Sequence, residues 1–583
     1  MSFKQMYKMW MDETTLEDSL REELELLMKD EAALKDAFYA PLEFGTAGMR
    51  GLIGVGVNRM NIYTVRQATE GLACLLESKE GQKKRGVVIA YDSRRFSSKF
   101  AMESAKILAN HEIPSFVFEG LRPTPELSFA VRELGAIAGI MVTASHNPAV
   151  YNGYKVYGED GGQMPPKDAS ALTRYVRSIE NPLTIKVADE KKAKTSGLIK
   201  MVGEELDKKY LELVKGVTIN QELVDQVGKD LKLVFTPLHG AGEMLGRKAL
   251  EQAGFTSVSI VKKQAIPDGK FPTIVSPNPE EHSAFELAIK LGNQVGADVL
   301  MATDPDADRL GVAVRLSDGS YQVLTGNQIG AIFAKYILEA NKQRGTLPKN
   351  AVILKSIVST DLVKKIADSY KVEALDVLTG FKFIAEKIKE FERTNSFTYL
   401  FGFEESYGYL IKPFVRDKDA IQALLLTAEV AAFYKKQGKT LYDGLQDIFK
   451  EYGYYEEKTI SITMSGVDGA EKIEALMEKF RNEVPSNFVG IDVSLTEDYK
   501  TQTIISRGGK TIRGLLPPSN VLKYLLTDGS WIAVRPSGTE PKMKFYMATS
   551  ASSQTEASMM IKEFEKEIRY FISGETKEAD EVD

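Results

Sequence analysis

The stretch "GIMVTASHNP", Gly139–Pro148, begins as an unbroken apolar run and stops at Thr143, Ser145, His146, Asn147 and Pro148. A short apolar run bounded by polar and turn-forming residues reads as a strand buried on both faces, followed by its exit loop. Upstream, "GVVIAYD" (86–92) and "SFVFEG" (115–120) read as strands. Each precedes a helical pattern, "SSKFAMESAKILANHE" (97–112) and "TPELSFAVRELG" (124–135). Strands alternating with helices of this length predict an α/β fold with parallel, doubly wound sheets. In such sheets ligands bind beyond the carboxyl ends of the strands, which is where Ser145 falls.

The same alternation returns twice. "KLVFTPLHGAG" (232–242) and "GADVLMATDPDADR" (296–309) are strands that end in polar loops, as are "AVILKSIVST" (351–360), "VEALDVLTGFKF" (372–383) and "FTYLFGFEESYGY" (397–409). Three successive similar α/β domains are expected, with breaks near the charged "ADEKKAKTSG" (188–197) and near "LTGNQIG" (324–330). Beyond residue 450 the pattern changes to long strands and two helices, which suggests a smaller α+β domain. The expected division is 1–205, 206–323, 324–450 and 451–583. Residues 1–40 read as two charged amphipathic helices, and the acidic tail 574–583 as disordered.

At 583 residues the chain is too long for one core, and length alone suggests about three to five domains. A composition of 43% hydrophobic and 27% charged residues is that of a soluble globular protein. The net charge of −6 argues against nucleic acid as a partner, since phosphate backbones select basic faces. It leaves a small anionic ligand open, because local charge decides that. The single cysteine, Cys74, is expected in the core; one cysteine makes no intrachain disulfide, so a reducing, cytoplasmic setting is expected. No signal peptide and no membrane span are expected, because no apolar run approaches about 18 residues.

Four loops carry the chemistry. In "TDPDADR" (303–309), Asp304, Asp306 and Asp308 alternate over five residues. Carboxylates this close repel one another unless a cation sits among them, and hard oxygen ligands in a tight loop suit Mg²⁺ or Ca²⁺; three ligands leave octahedral positions open, as Mg²⁺ prefers, and a solvated acidic turn is the plain alternative. An EF-hand is excluded, because its required glycine and glutamate positions are Arg309 and Arg315. "RPSGTEPK" (535–542) combines Arg535, Ser537, Gly538 and Thr539, with Lys544 just beyond. A guanidinium, two hydroxyls and flexible backbone can wrap a phosphate, although Pro-Ser-Gly is also ordinary turn chemistry. In "GFEESYG" (402–408), Glu404 and Ser406 are two apart, so in an extended segment both point one way and could hold sugar hydroxyls. A solvent-facing loop is the plain alternative.

Ser145 beside His146 invites a hydrolase reading. Neighbours in an extended segment face opposite ways, so His146 is expected to be badly placed to serve Ser145. The nucleophile-elbow motif is also absent. A serine that carries a phosphoryl group, with a metal and cations managing the charge, fits better.

Together these loops resemble the α-D-phosphohexomutase family, and most closely its bacterial-type α-phosphoglucomutase branch. The resemblance rests on "EFGTAGMRG" (43–51), "TASHNPAVYNGYKVY" (143–157), "TDPDADR", "TGFKF" (379–383), "GFEESYGY", "VRDKDA" (415–420) and "RPSGTEPK", in the family's order. It implies four domains around a central cleft, three α/β and one α+β. It implies that Ser145 carries the phosphoryl group and that Asp304, Asp306 and Asp308 hold one Mg²⁺, with Ser145 as a further ligand. His146, Thr379, Gly380, Glu404, Ser406 and Lys418 would meet the sugar. Arg535, Ser537, Gly538, Thr539 and Lys544 would grip the other phosphate. Arg50, Lys155, Arg309 and Lys418 would surround the transfer centre.

The implied reaction is reversible exchange of α-D-glucose 1-phosphate and glucose 6-phosphate through glucose 1,6-bisphosphate, in a monomer or weak oligomer. The alternatives are a phosphomannomutase, a phosphopentomutase, a glucose 1,6-bisphosphate synthase and a phosphosugar-binding protein without turnover. Mannose-capable relatives often carry Glu-Met-Ser with a histidine two residues on. Here Glu405 and Gly408 occupy those positions, which favours glucose and leaves acid–base duty to Lys155 or Lys418. A surrounding cluster of cations is expected to lower the pKa of Lys155.

Overall fold

A computed structural model of the chain describes residues 2–44, 48–464, 469–537 and 542–573, without the side chain of Ala470. Gly538, Thr539 and the tail 574–583 lie outside the described residues.

Three sheets of one design follow one another. The first holds β1 (Met49–Leu52), β2 (Val87–Tyr91), β3 (Ser115–Phe118), β4 (Ala138–Val142), β5 (Tyr151–Gly158) and β6 (Ile199–Val202). Their order is β1-β5-β4-β2-β3-β6. The second holds β7 (Leu233–Thr236), β8 (Val258–Ile260), β9 (Val299–Thr303), β10 (Leu310–Arg315) and β11 (Tyr321–Val323), in the order β11-β10-β9-β7-β8. The third holds β12 (Ala351–Ser356), β13 (Glu373–Val377), β14 (Thr398–Glu404) and β15 (Gly408–Leu410), in the order β13-β12-β14-β15.

The sheets are mixed, which corrects the expectation of purely parallel ones. β2 pairs in parallel with β3 and β4, β7 with β8 and β9, and β12 with β13 and β14. The strand that leads into each chemical loop then turns straight back: β5 is antiparallel to β4, β10 to β9 and β15 to β14. A parallel crossover needs a dozen residues or more. The loops 143–150, 304–309 and 405–407 are too short for one, so each closes as a hairpin. Three structurally equivalent hairpins thus present three different chemistries. Each places one non-glycine residue in the left-handed region: Ser145 (φ 51°), Ala307 (φ 49°) and Tyr407 (φ 64°). Such conformations cost energy and persist where surrounding structure imposes them.

The central strands are covered on both faces; every residue of β4 and β9 is buried. The helix Ala420–Lys436 is buried nearly all round, as expected of a helix inside a large core. Its Glu429 accepts the amides of Ile219 and Asn220 and the hydroxyl of Tyr336, tying together segments far apart in the chain. Residues 2–38 form three helices, Phe3–Asp12, Asp18–Leu27 and Glu31–Phe38, rather than two, because Asp30 caps a new start by accepting the amides of Ala32 and Ala33. Cys74 is half-buried on the helix Ile62–Glu77, rather than in the core.

The last unit is an antiparallel sheet of β16 (Tyr454–Thr463), β17 (Asn487–Phe488), β18 (Ile491–Asp498), β19 (Thr503–Ser506), β20 (Thr511–Arg513), β21 (Leu522–Leu526), β22 (Trp531–Pro536) and β23 (Lys542–Ala551). Helices Gly469–Asn482 and Gln554–Ser573 pack on it. It docks on the third sheet through a small apolar patch, where Ile357, Val358 and Leu378 meet Val521, Trp531 and Tyr546. Lys523 adds one polar tie, donating to the carbonyl of Ile357 at 2.7 Å. Among the described residues no helix is long and apolar enough to cross a membrane.

Candidate active site

The Ser145 hairpin is built from beneath. The Thr143 hydroxyl donates to Asp92 at 2.6 Å and accepts the Ser145 amide at 2.8 Å. Arg94, buried to 3% exposure, donates to the carbonyls of Pro148 and Tyr151 from Nη1 and of Ser145 and Asn147 from Nη2. Phe271 lies against the guanidinium with its ring centroid 5.0 Å away. Burial pulls the Arg94 pKa down to about 10 against the nearby Asp92, so it stays charged at neutral pH. Sequence reasoning missed Arg94. The signal was an arginine three residues past an apolar strand end, in "YDSRR".

This anchoring turns the Ser145 Oγ toward the second sheet, where it donates to Asp304 Oδ2 at 2.6 Å. It also turns the neighbouring imidazole. His146 Nδ1 lies 3.2 Å from Ser145 Oγ, which corrects the expectation that the two face apart. That expectation assumed extended backbone, and Ser145 is left-handed. The hydrolase reading still fails, because a triad needs a third group to orient the histidine. Among the described residues no carboxylate pairs with the His146 ring. Burial, then Arg309 and Arg50, hold its pKa well below the usual value.

Asp304, Asp306 and Asp308 are all buried, and one oxygen from each lies within 4.8 Å of the others. A Cβ on Gly240 would fall 2.3 Å from Pro305 Cα, so the glycine allows the backbone of 238–242 to support the loop. Burial, then Asp306 and Asp308, push the Asp304 carboxyl well above the usual range. Burial also opposes the charge of Asp306, but Lys155 and the Thr124 hydroxyl outweigh it and hold the carboxyl low. Asp306 Oδ1 and Asp308 Oδ1 are buried without a hydrogen-bond partner. Three converging hard oxygen donors, two of them with orphaned atoms, fit a divalent cation of the Mg²⁺ type.

Cations ring this group. Lys155 Nζ is 2.9 Å from Asp306 and 3.7 Å from Asp308. Burial disfavours its charge, yet the two carboxylates hold its pKa above the ordinary value. The lowered pKa expected from the sequence is thus corrected: the pull of Asp306 and Asp308 outweighs the push of Lys418. Lys418 Nζ is 3.1 Å from Asp308 and 2.9 Å from Asp417, which itself accepts the Tyr157 hydroxyl at 2.8 Å. Burial again opposes the charge, and Asp308, Asp417 and Glu404 raise the pKa of Lys418 nonetheless. Arg309 pairs with Glu280 and lies 3.9 Å from Asp308. Arg50, on β1, donates to Asn147 Oδ1 at 2.7 Å.

The third hairpin faces the same space. Glu404 ends β14 and accepts the Gly380 amide at 2.6 Å, which joins "GFEES" to "TGFKF". The hydroxyl of Thr379 is buried and unpartnered. Ser406 does not continue the strand; it lies in the turn 405–407, so the extended-spacing argument fails there. Glu405 points elsewhere, accepting the hydroxyls of Ser356 at 2.8 Å and Ser359 at 3.4 Å. A Cβ on Gly408 would sit 2.1 Å from Lys418 Cδ. The missing side chain at this position is therefore the space that the lysine stem fills.

From the C-terminal unit, Arg535 lies one residue before the end of β22, opposite Lys544 on β23. Burial lowers the Lys544 pKa, with Glu405 and Glu280 opposing and Arg309 and Arg535 adding to the shift. The structure thus brings Ser145, the three aspartates, Lys155, Arg309, Lys418 and Glu404 into one cluster. Gly538 and Thr539 of the phosphate loop lie outside the described residues.

A four-part chain whose equivalent hairpins present a serine, an acidic triad and a carboxylate to one cleft has the architecture of the phosphohexomutases. Family models match in the same order: phosphoglucomutase/phosphomannomutase α/β/α domain I at residues 41–183, domain II at 208–317, domain III at 325–452 and the C-terminal domain at 469–565. The chain belongs to this phosphoglucomutase/phosphomannomutase family. A phosphoglucomutase of Staphylococcus aureus (strain bovine RF122 / ET3-1) is 40% identical over 516 residues, covering 88% of this chain and 90% of that protein. One of Staphylococcus epidermidis (strain RP62A) is 42% identical over 511 residues, covering 87% and 91%. Among solved structures, the open form of the phosphoglucomutase parafusin from Paramecium superposes with a TM-score of 0.69 at 18% identity, covering 93% of this chain and 97% of that one. A phosphoglucomutase/phosphomannomutase family protein from Burkholderia thailandensis gives 0.64 at 19%, covering 91% and 98%. These two likenesses bear on the fold alone.

Proposed function

We propose that this chain interconverts α-D-glucose 1-phosphate and glucose 6-phosphate through a phosphoserine at Ser145 and a glucose 1,6-bisphosphate intermediate. The observation that carries the reading is Ser145 Oγ, 2.6 Å from the buried Asp304, whose partners Asp306 and Asp308 lie beside Lys155, Lys418 and Arg309. Such a hydroxyl has an imidazole beside it but, among the described residues, no carboxylate to orient that base as a hydrolase requires, and it has the charge management that phosphoryl transfer needs.

In the forward half-reaction a sugar hydroxyl attacks the phosphorus on Ser145. The new O–P bond forms as the Ser145 Oγ–P bond breaks, the attacking hydroxyl loses its proton and Ser145 Oγ regains one. Arg309 and Lys418 offset the charge on the phosphoryl oxygens. Lys155 and Lys418 are the two candidates to move the proton. Asp304, Asp306 and Asp308, with Ser145, would hold Mg²⁺, which supplies Lewis-acid stabilisation of the phosphoryl oxygens when bound. Glu404, with His146, Thr379, Gly380 and Ser406, would hold the sugar. Arg535, Ser537, Gly538, Thr539 and Lys544 would hold the phosphate that is not transferred.

The bisphosphate must turn over so that its second phosphate faces Ser145. The C-terminal unit meets the third domain through a small apolar patch, Lys523 and the foot of β16, where Tyr455 lies beside Lys365, and these few contacts are compatible with the opening this requires. A cytoplasmic setting fits the single unpaired cysteine. The test is intact mass after incubation with glucose 1,6-bisphosphate and Mg²⁺, together with rates on glucose, mannose and ribose 1-phosphates. One phosphate mapped to Ser145, its loss in Ser145→Ala and a preference for the glucose ester are expected. A phosphate on another residue would refute the assignment, and a faster pentose rate would move the substrate class.

A further inference from the structure

The helix Phe381–Thr394 starts at the sugar loop, since its N-cap Gly380 donates to Glu404. Its first two residues point along different directions, because successive residues on a helix are about 100° apart. Phe381 lies under Lys418, with Nζ 5.6 Å from the ring centroid, and so faces the transfer centre. Lys382 leaves on another side. Only 9% of it is exposed, and its ammonium lies 5.1 Å from the Phe383 ring centroid. Among the described residues it makes no hydrogen bond and no ion pair. A charge this deeply set is ordinarily paired.

We infer that Lys382, at the positive end of this fourteen-residue helix, is a phosphate-binding residue that faces Arg535 across the cleft and completes the grip on the sugar phosphate's non-transferring group. This rests on the reading that Arg535 and Lys544 hold that group. The Phe383 ring beside the ammonium packs against the apolar patch on which the C-terminal unit docks, which sets Lys382 next to that unit. Burial lowers the Lys382 pKa, with Glu386 opposing the shift and the Arg535 guanidinium adding to it. Two like charges facing one space are mutually destabilising until a dianion lies between them, and the helix N-terminus favours the same occupant. The buried, unpartnered Thr379 hydroxyl lies three residues before Lys382, at the same helix start. A helix that contacts Lys418 at one residue and the phosphate at the next would set the span between the sugar's two reactive positions.

The test compares Lys382→Gln, Lys382→Arg and Arg535→Gln for kcat/KM on glucose 1-phosphate and for calorimetric binding of inorganic phosphate. Losing one charge-assisted contact should lower kcat/KM and weaken phosphate binding by about tenfold or more in Lys382→Gln, with Lys382→Arg within about threefold of the parent. In the unmodified protein, inorganic phosphate should protect Lys382 from amine-reactive labelling read by peptide mass, a measurement independent of whether any variant folds. Unchanged phosphate binding in Lys382→Gln beside a loss in Arg535→Gln overturns the inference and leaves the Arg535 grip standing. Unchanged binding in both overturns the grip and the inference together, as does absence of protection for the inference alone. If glucose 1-phosphate is not turned over, the proposed reaction fails while phosphate binding still decides the role of Lys382.

Discussion

Replacing Arg94 probes how the Ser145 hairpin is held without touching any group that meets substrate. Arg94→Met removes the donors to four carbonyls, at Ser145, Asn147, Pro148 and Tyr151, and leaves Asp92 buried at 2% exposure without its cation 3.4 Å away. Breaking a buried ion pair from one side costs about 3–5 kcal/mol. The carbonyl losses overlap with that figure, because the same group makes all of them. We therefore expect about 3–5 kcal/mol of destabilisation by urea unfolding of whichever transition contains the first domain. Activity should fall further than stability explains, since Ser145 must keep a left-handed backbone to reach Asp304. A shift of about 1 Å in a reacting group costs on the order of 10²-fold in rate. Arg94→Lys separates the two effects. It keeps the charge beside Asp92, but one ammonium cannot span carbonyls from Ser145 to Tyr151. Stability should recover in part, while the rate of glucose 6-phosphate formation stays at least about tenfold down at saturating substrate and Mg²⁺. An Arg94→Lys enzyme with parental kcat, or an Arg94→Met chain within about 1 kcal/mol of parental stability, would refute the argument.

Chelation followed by titration of Mg²⁺ should restore activity to the parent and not to Asp306→Asn, whose unpartnered carboxylate oxygen is lost; calorimetric Mg²⁺ binding weakened by about tenfold or more in that variant is the direct check. His111 lies 3.0 Å from Glu70 and 3.3 Å from Glu77, chiefly through Glu70, and its pKa is raised. Its contribution is thus fully present below the unfolded value of about 6.5 and is lost as pH rises through the higher folded value. His111→Gln should cost up to about 1 kcal/mol at pH 5.5 and little at pH 9, the more exposed Glu77 adding little because water screens it; an equal loss at both pH values would contradict the pairing.

The chain order of the elements was open to sequence reasoning because burial leaves a periodic trace. Unbroken apolar runs marked β4 and β9, and the polar residues after them marked the loops. The spacing of Asp304, Asp306 and Asp308 carried its own meaning, because three carboxylates in five residues cannot be far apart whatever the fold does. The resemblance then linked loops separated by hundreds of residues, which local pattern alone cannot do.

What only the tertiary structure decided depends on backbone conformation and on neighbours remote in sequence. The antiparallel return after each loop, the left-handed Ser145 and the imidazole beside its hydroxyl all reverse arguments made for extended backbone. The raised pKa of Lys155 depends on which charges lie nearest, and those are Asp306 and Asp308, roughly 150 residues away in the chain. Arg94, Glu280 and Lys382 carry no motif that spells a role; their meaning comes from the carbonyls, carboxylate and cleft that folding puts in front of them. Periodicity reports how a segment buries itself, and a site is made of segments that meet, so composition and spacing reach the loops while geometry alone joins them.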